Sequence, residues 1–294
     1  MAQDISPEWI GIDHRADSAS VWAMRGTEVL ATRELATGVS AGANTGEADL
    51  ADHLRGLISD WQIEDGTQII TCGAAAPPRD MTDFRAVPCA PLAAAPATSP
   101  LRIAGLRQAT PPDLMQGDET RIAGFLSLHP DWGGVICLTG PQSRWVQISA
   151  GEVVSFQTFM TGELAALLSD RSTLQPAIAT DTWDEAAFTE ALAETVSRPE
   201  KLAARLYGIH AHSMLGESSA TSRGRLLGYL SGAELAAARA YWLGQQIAVI
   251  GGDDLAAPYV AALAAQGVPA TRASAKRMTL AGLCAAYRLL GAKA

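Results

Sequence analysis

The sequence predicts a two-domain α/β protein, and three observations carry that expectation. The chain has 294 residues, long for one compact domain and about right for two. Hydrophobic residues make up 48% and charged residues 18%, enough apolar surface for two cores. A hairpin, a helix and a buried strand follow one another in each half, which suggests an old duplication. No repeat of short period accompanies it.

Trp9–Asp13 reads as a short apolar strand, followed by Ser20–Met24, a turn at Arg25-Gly26-Thr27 and a return strand from Glu28 to Leu35. Over residues 47–62, Leu50, Leu54, Leu57, Ile58 and Trp61 share one helical face. Thr67–Cys72 is a buried strand. Between 73 and 100, Pro77, Pro78, Pro88, Pro91, Pro96 and Pro100 block regular helix or central strand. An irregular loop with short strands is expected there, near a domain junction.

The second half starts after Thr110-Pro111-Pro112-Asp113. A helix over Asp118–Leu128 precedes a strand at Gly134–Leu138, and Trp145–Ile148 with Val153–Thr158 forms a second hairpin. Helices follow at Gly162–Asp170, Asp184–Glu194, Pro199–Tyr207 and Ser222–Gln245. Ile247–Ile250 is a buried strand ending at Gly251-Gly252. Leu255–Gln266 is a helix, Val268–Arg272 a strand and Thr279–Leu290 the last helix. The expected domains are 6–112 and 113–294, with the last helix packing back on the first.

Charge and cysteine usage narrow the function. With 31 acidic against 22 basic residues and a net charge of −9, no basic stripe exists to bind nucleic acid. Cys72, Cys89, Cys137 and Cys284 lack metal-type spacing; Cys137, in an apolar run, reads as a small core residue. No disulfide pattern, signal peptide or membrane-length apolar stretch is visible, so a cytoplasmic location and no membrane partner are expected. His210 and His212 read as structural or surface residues on a loop-strand segment.

Three glycine-centred turns concentrate polar groups between strand or loop and helix: Gln116-Gly117-Asp118-Glu119-Thr120, Thr139-Gly140-Pro141-Gln142-Ser143-Arg144 and Met160-Thr161-Gly162-Glu163. Backbone N–H groups at such breaks can meet phosphate or polar substrate. Together with Gly228–Glu234 and Val249-Ile250-Gly251-Gly252, they make the chain resemble, nearly end to end, the 2-dehydro-3-deoxygalactonokinase family of sugar-acid kinases. The resemblance implies an α/β fold of two actin-like (ribonuclease H-like) lobes around a central cleft, each lobe a mixed five-stranded sheet with helices. It also implies ATP and Mg²⁺ as cofactors, and phosphorylation of 2-dehydro-3-deoxy-D-galactonate at its terminal hydroxyl. The sugar acid and ATP are the implied partners, and a homodimer is left open.

By that resemblance Asp118 is the base and Asp13 the metal-binding carboxylate. Arg15 and Ser18 stand in the first phosphate turn, where His14-Arg15-Ala16-Asp17-Ser18 replaces the family's glycine-and-hydroxyl sequence. Gly140, Ser143 and Arg144 stand in the second, where Pro141 replaces a threonine and removes an N–H. Gly251, Gly252 and Asp253 suit the nucleotide. Gly73, Arg79, Glu119, Thr161 and Glu163 suit the substrate. Local readings exist beside these: Asp118 and Asp253 as helix caps, Glu163 as the holder of its turn, and Arg79 and Arg85 as solvated surface arginines. The altered phosphate turns also support an alternative, a non-catalytic relative that binds a sugar acid or nucleotide without transfer.

Overall fold

The computed structural model describes residues 5–15, 18–36, 56–73, 81, 83–94 and 100–291. Most of the expected helix over 47–62, together with Asp17 and Arg79, lies outside them. The chain divides into two compact units. One comprises Met1–Trp132, Gly151–Val153 and Lys276–Ala294; the other comprises Gly133–Ala150 and Val154–Ala275. The expected division at 112/113 therefore moves to Trp132, and the last helix groups with the first unit.

The first unit begins with β1 (Trp9–His14), β2 (Ser18–Arg25), β3 (Glu28–Ala36), β4 (Gln68–Gly73), β5 (Phe84–Ala86), β6 (Leu101–Arg102), β7 (Gly105–Gln108) and β8 (Asp113–Met115). Five of these form a sheet in the order β3-β2-β1-β4-β6, and the other three form a small sheet, β5-β7-β8. β1 runs antiparallel to β2 and parallel to β4, with Asp13 opposite Cys72 and His14 opposite Gly73. Because side chains alternate along a strand, Trp9, Gly11 and Asp13 share one face, and Ile10 and Ile12 the other. The Trp9 face packs with Trp22, Met24, Ile70 and Cys72 against Leu283 and Cys284. The Ile10 face packs with Val21, Ala23 and Trp61.

Helix α1 (Asp118–Leu128) closes the first segment of this unit. Its contact with the C-terminal helix is backbone-close. A Cβ on Gly124 would lie 1.9 Å from the carbonyl oxygen of Met278, and one on Gly282 equally close to that of Thr120. The crossing holds α1, and with it Asp118 and Arg121, in the first unit.

The second unit continues with β9 (Gly134–Leu138), β10 (Ser143–Ser149), β11 (Glu152–Phe159), α2 (Thr161–Arg171), α3 (Glu185–Ser197), α4 (Leu202–Met214), α5 (Ser219–Ala237), α6 (Arg239–Trp242), β12 (Ile247–Gly251), α7 (Asp253–Ala265) and β13 (Ala270–Ser274); α8 (Ala275–Gly291) returns to the first unit. Its sheet order, β11-β10-β9-β12-β13, repeats that of the first sheet, and β12 lies parallel to both β9 and β13. The fold is thus mixed α/β with the five-stranded, ribonuclease H-like sheet present twice. Val135, Cys137, Trp145, Ile247 and Val249 form one sheet face and pack on Phe188, Leu192, Leu235 and Leu263 of the helices.

Several expected boundaries shift. Asp184 caps α3 rather than belonging to it, its Oδ1 accepting the Ala187 N–H at 2.9 Å. The long helix expected over 222–245 ends at Ala237, and Arg239–Trp242 forms a separate turn. His210 and His212 stand on α4, not on a loop-strand segment; Ala, Leu and Met around them favour helix and outweigh the isolated histidines. Among the described residues no helix is long and apolar enough to cross a membrane.

Candidate active site

The first unit gathers a charged cluster where β1, β4 and α1 meet. Asp13, next to last in β1, is almost fully buried, its side chain 4% exposed. Arg15 donates to its Oδ2 through Nε at 3.1 Å and Nη2 at 3.0 Å. Arg121 approaches the same oxygen at 3.8 Å through Nη2. Through Nη1 it donates to Oδ1 of Asp118 at 2.6 Å, and through Nε to the Thr279 hydroxyl at 3.3 Å. Arg121 thus stands between the two aspartates. Burial alone would lower its pKa, but Asp118 and then Asp13 reverse that and hold the guanidinium above its ordinary value.

Helix α1 is positioned by its own turn. Gly117, with φ 98°, is the N-cap of α1 and Asp118 its first residue, so Asp118 does not occupy the N-cap position. Glu119 instead turns back, and both of its oxygens lie 2.8 Å from the Gly117 N–H. Glu119 is fully buried; its carboxylate is committed to holding the turn. Gly73 (φ 73°) ends β4, and a Cβ there would lie 2.1 Å from the His14 carbonyl oxygen. A Cβ on Gly117 would come 3.0 Å from the Gly73 Cα. The two glycines let the strand end and the helix start touch, which places Asp118 beside Asp13. Cys72 completes the floor, its Sγ 3.7 Å from Oδ1 of Asp13. Burial, then Asp13 and Glu119, push this thiol well above its usual range, so it is a neutral wall. Ser18 closes the hairpin turn, its carbonyl accepting the Arg15 N–H at 2.9 Å.

The second unit gathers the remaining candidates at the ends of β9 and β12. Thr139 donates its N–H to the Ile250 carbonyl at 2.9 Å, bringing Gly140 beside Gly251 and Gly252. The Thr139 side chain is buried, and a Cβ on Gly251 would lie 1.9 Å from its Oγ1. Thr161 opens α2 at the same corner. A Cβ on Gly162 would lie 2.2 Å from the Gly140 carbonyl oxygen. The Glu163 N–H donates to the Pro141 carbonyl at 2.7 Å, and its Oε2 accepts from Gln142 Nε2 at 2.8 Å. Glu163 therefore holds the turn, the local alternative for this residue. Arg144 lies half-buried on β10, on the face opposite Ser143 and Trp145. Ser143 is fully buried and gives its hydroxyl to Glu234 at 2.7 Å, so that hydroxyl is already engaged inside the unit. Asp253 is the first residue of α7.

The structure thus joins Asp13, Arg15, Gly73, Asp118 and Glu119 in one unit, and Gly140, Ser143, Thr161, Glu163, Gly251 and Gly252 in the other. Among the described residues no cluster of three or more His, Cys, Asp or Glu is placed to hold a metal by itself. Two residues escaped the sequence reading. Arg121 was signalled only by its i,i+3 spacing from Asp118, which puts the two side chains on one helix face. Glu234 belongs to the Gly228–Glu234 motif; a strand tryptophan whose indole N–H needs a buried acceptor was the available clue.

The family model described as 2-keto-3-deoxy-galactonokinase matches residues 16–286. The chain is 33% identical over 184 residues to a protein of Rhizobium meliloti (strain 1021) named "Probable 2-dehydro-3-deoxygalactonokinase DgoK1", the match spanning 61% of this chain and 60% of that one. It is 30% identical over 173 residues to the 2-dehydro-3-deoxygalactonokinase of Escherichia coli (strain K12), spanning 58% of each. These matches therefore cover about 60% of the curated relatives' length. A crystal structure of a candidate 2-dehydro-3-deoxygalactonokinase from Sinorhizobium meliloti superposes with a TM-score of 0.81 at 30% identity, covering 95% of this chain and 98% of that one. On the extent of the family match, the chain belongs to the 2-keto-3-deoxy-galactonokinase family.

Proposed function

We propose that the chain phosphorylates 2-dehydro-3-deoxy-D-galactonate at its terminal hydroxyl with ATP, a cytoplasmic step of galactonate catabolism. The observation that carries this reading is the buried Asp13–Arg121–Asp118 cluster in a chain of this family. Phosphoryl transfer asks little covalent chemistry of a protein; it needs a positioned acceptor, a carboxylate for its proton and charge around the phosphates. Asp118 orients the hydroxyl and takes its proton. Arg121 fixes that carboxylate by its 2.6 Å hydrogen bond. In the second unit, the N–H groups of the Gly140 and Gly251-Gly252 corners bind the nucleotide, with Arg144 as the nearby cation.

The residues present fit Mg²⁺. A hard cation bound mainly by phosphate and water asks one or two carboxylates of the protein, and Asp13 supplies one. When bound, the ion neutralises charge on the β- and γ-phosphates. Arg15 occupies Oδ2 of Asp13 with its side chain 41% exposed, so the kinase reading requires it to give way to the ion.

That same pair favours a second reading, a relative that binds its ligand without transfer because Arg15 keeps the metal-facing oxygen. Calorimetry with Mg-ATP, and with the sugar acid, decides between them. ATP binding with ADP release on adding the sugar acid supports the kinase. Sugar-acid binding without affinity for ATP supports the second reading.

A further inference from the structure

Glu234 lies in α5 with 3% exposure, and among the described residues no salt bridge reaches it. A buried carboxylate without a cation is costly unless its oxygens are fully hydrogen-bonded. Three donors meet that demand. Ser143 Oγ and Trp145 Nε1 both donate to Oε1 at 2.7 Å, and Tyr259 Oη donates to Oε2 at 2.7 Å.

The origin of these donors is informative. Ser143 and Trp145 begin β10, directly after the Gly140-Pro141-Gln142 turn. Tyr259 stands on α7, whose N-cap is Gly252, the Gly252 carbonyl accepting the Ala256 N–H at 2.9 Å. One carboxylate therefore grips the first residues after one corner with one oxygen, and the helix after the other corner with its second. Burial and the nearby Glu234 charge hold the Tyr259 hydroxyl protonated well above its usual range, so the donor persists throughout the neutral pH range.

We propose that Glu234 is a positioning residue that locks the Gly140 corner to the Gly251-Gly252 corner, holding their N–H groups in register for a nucleotide. Glu234 touches no ligand; it acts through Ser143, Trp145 and Tyr259. The nucleotide part of the proposal rests on the kinase reading, whereas the locking itself does not.

Hydrogen exchange on the whole chain without ligand tests the lock. In Glu234→Gln, amide exchange at 139–145 and 251–256 should rise about tenfold, while 135–138 and 247–250 keep wild-type protection. Wild-type exchange at both corners, or a uniform rise across the unit, overturns the proposal. Tyr259→Phe removes one hydroxyl and keeps the ring, so it answers where Glu234→Gln fails to fold: because that hydroxyl also meets Ser143, exchange should rise at 251–256 and less at 139–145, and wild-type exchange at 251–256 overturns the proposal. In the kinetic arm, Glu234→Gln should raise KM for ATP about tenfold and leave that for the sugar acid within about twofold, a split that general loosening would not produce. A wild-type chain that binds no ATP would sink the kinase reading and leave the exchange result to judge the lock.

Discussion

Changing Asp118 to asparagine removes one negative charge and almost no volume. The wild-type side chain is 7% exposed and shares a 2.6 Å hydrogen bond with Arg121. Orphaning a buried charge costs about 3–5 kcal/mol, but Arg121 is not orphaned here. It retains Asp13 at 3.8 Å and the Thr279 hydroxyl at 3.3 Å, and the asparagine oxygen still accepts a hydrogen bond. The stability loss should therefore be about 1–3 kcal/mol. At about 2–4 °C per kcal/mol for a unit of this size, Tm falls by about 2–12 °C. This exceeds the near-silent effect expected of a solvated cap. Activity should fall much further, by about 10²–10⁴-fold in kcat, because the proposed proton acceptor is gone. ADP release with 2-dehydro-3-deoxygalactonate, measured beside thermal unfolding, separates the two effects. A double-mutant cycle with Arg121→Met should report a coupling of about 1–3 kcal/mol in stability. If Asp118→Asn retains more than about a tenth of wild-type kcat while folded, the base assignment is wrong.

The other expectations concern the corners, Asp13 and the buried thiols. Gly162→Ala forces a Cβ to 2.2 Å from the Gly140 carbonyl oxygen, a backbone clash costing about 1–3 kcal/mol; steady-state kinetics should show a raised KM for ATP, and an unchanged value would remove the nucleotide from this corner. Arg15→Gly removes two hydrogen bonds from Oδ2 of Asp13, leaving Arg121 at 3.8 Å, and should strengthen Mg-ATP over metal-free ATP in calorimetry, whereas weaker binding of both would make Arg15 a phosphate ligand. Burial, with Asp13 and Glu119, raises the Cys72 thiol, and burial with Glu234 raises Cys137. The folded state then keeps protons that the unfolded chain releases above about pH 8.5, so stability is full below that pH and falls by about 1.4 kcal/mol per unit per thiol as pH rises. Urea unfolding at pH 8, 9 and 10 should show this slope, and Cys72→Ala should remove one thiol's share of it; identical slopes would refute the assignment.

The strands β1, β9 and β12 and helix α1 were legible because alternation, apolar runs and helical period are local properties of the chain. So were the glycine corners at 117, 140, 162 and 251, since a break between strand and helix announces itself in a few residues. Which polar groups meet there was not legible. Asp13 and Asp118 lie far apart in sequence and share Arg121 only because β1 pairs with β4 in one register and α1 crosses α8 at Gly124 and Gly282. Ser143 carries the composition of a phosphate contact, yet strand alternation turns its hydroxyl inward to Glu234. Residue types and turns are written along the chain; the partner of each buried charge is chosen by strand register and helix crossing, which bring distant segments within hydrogen-bonding reach.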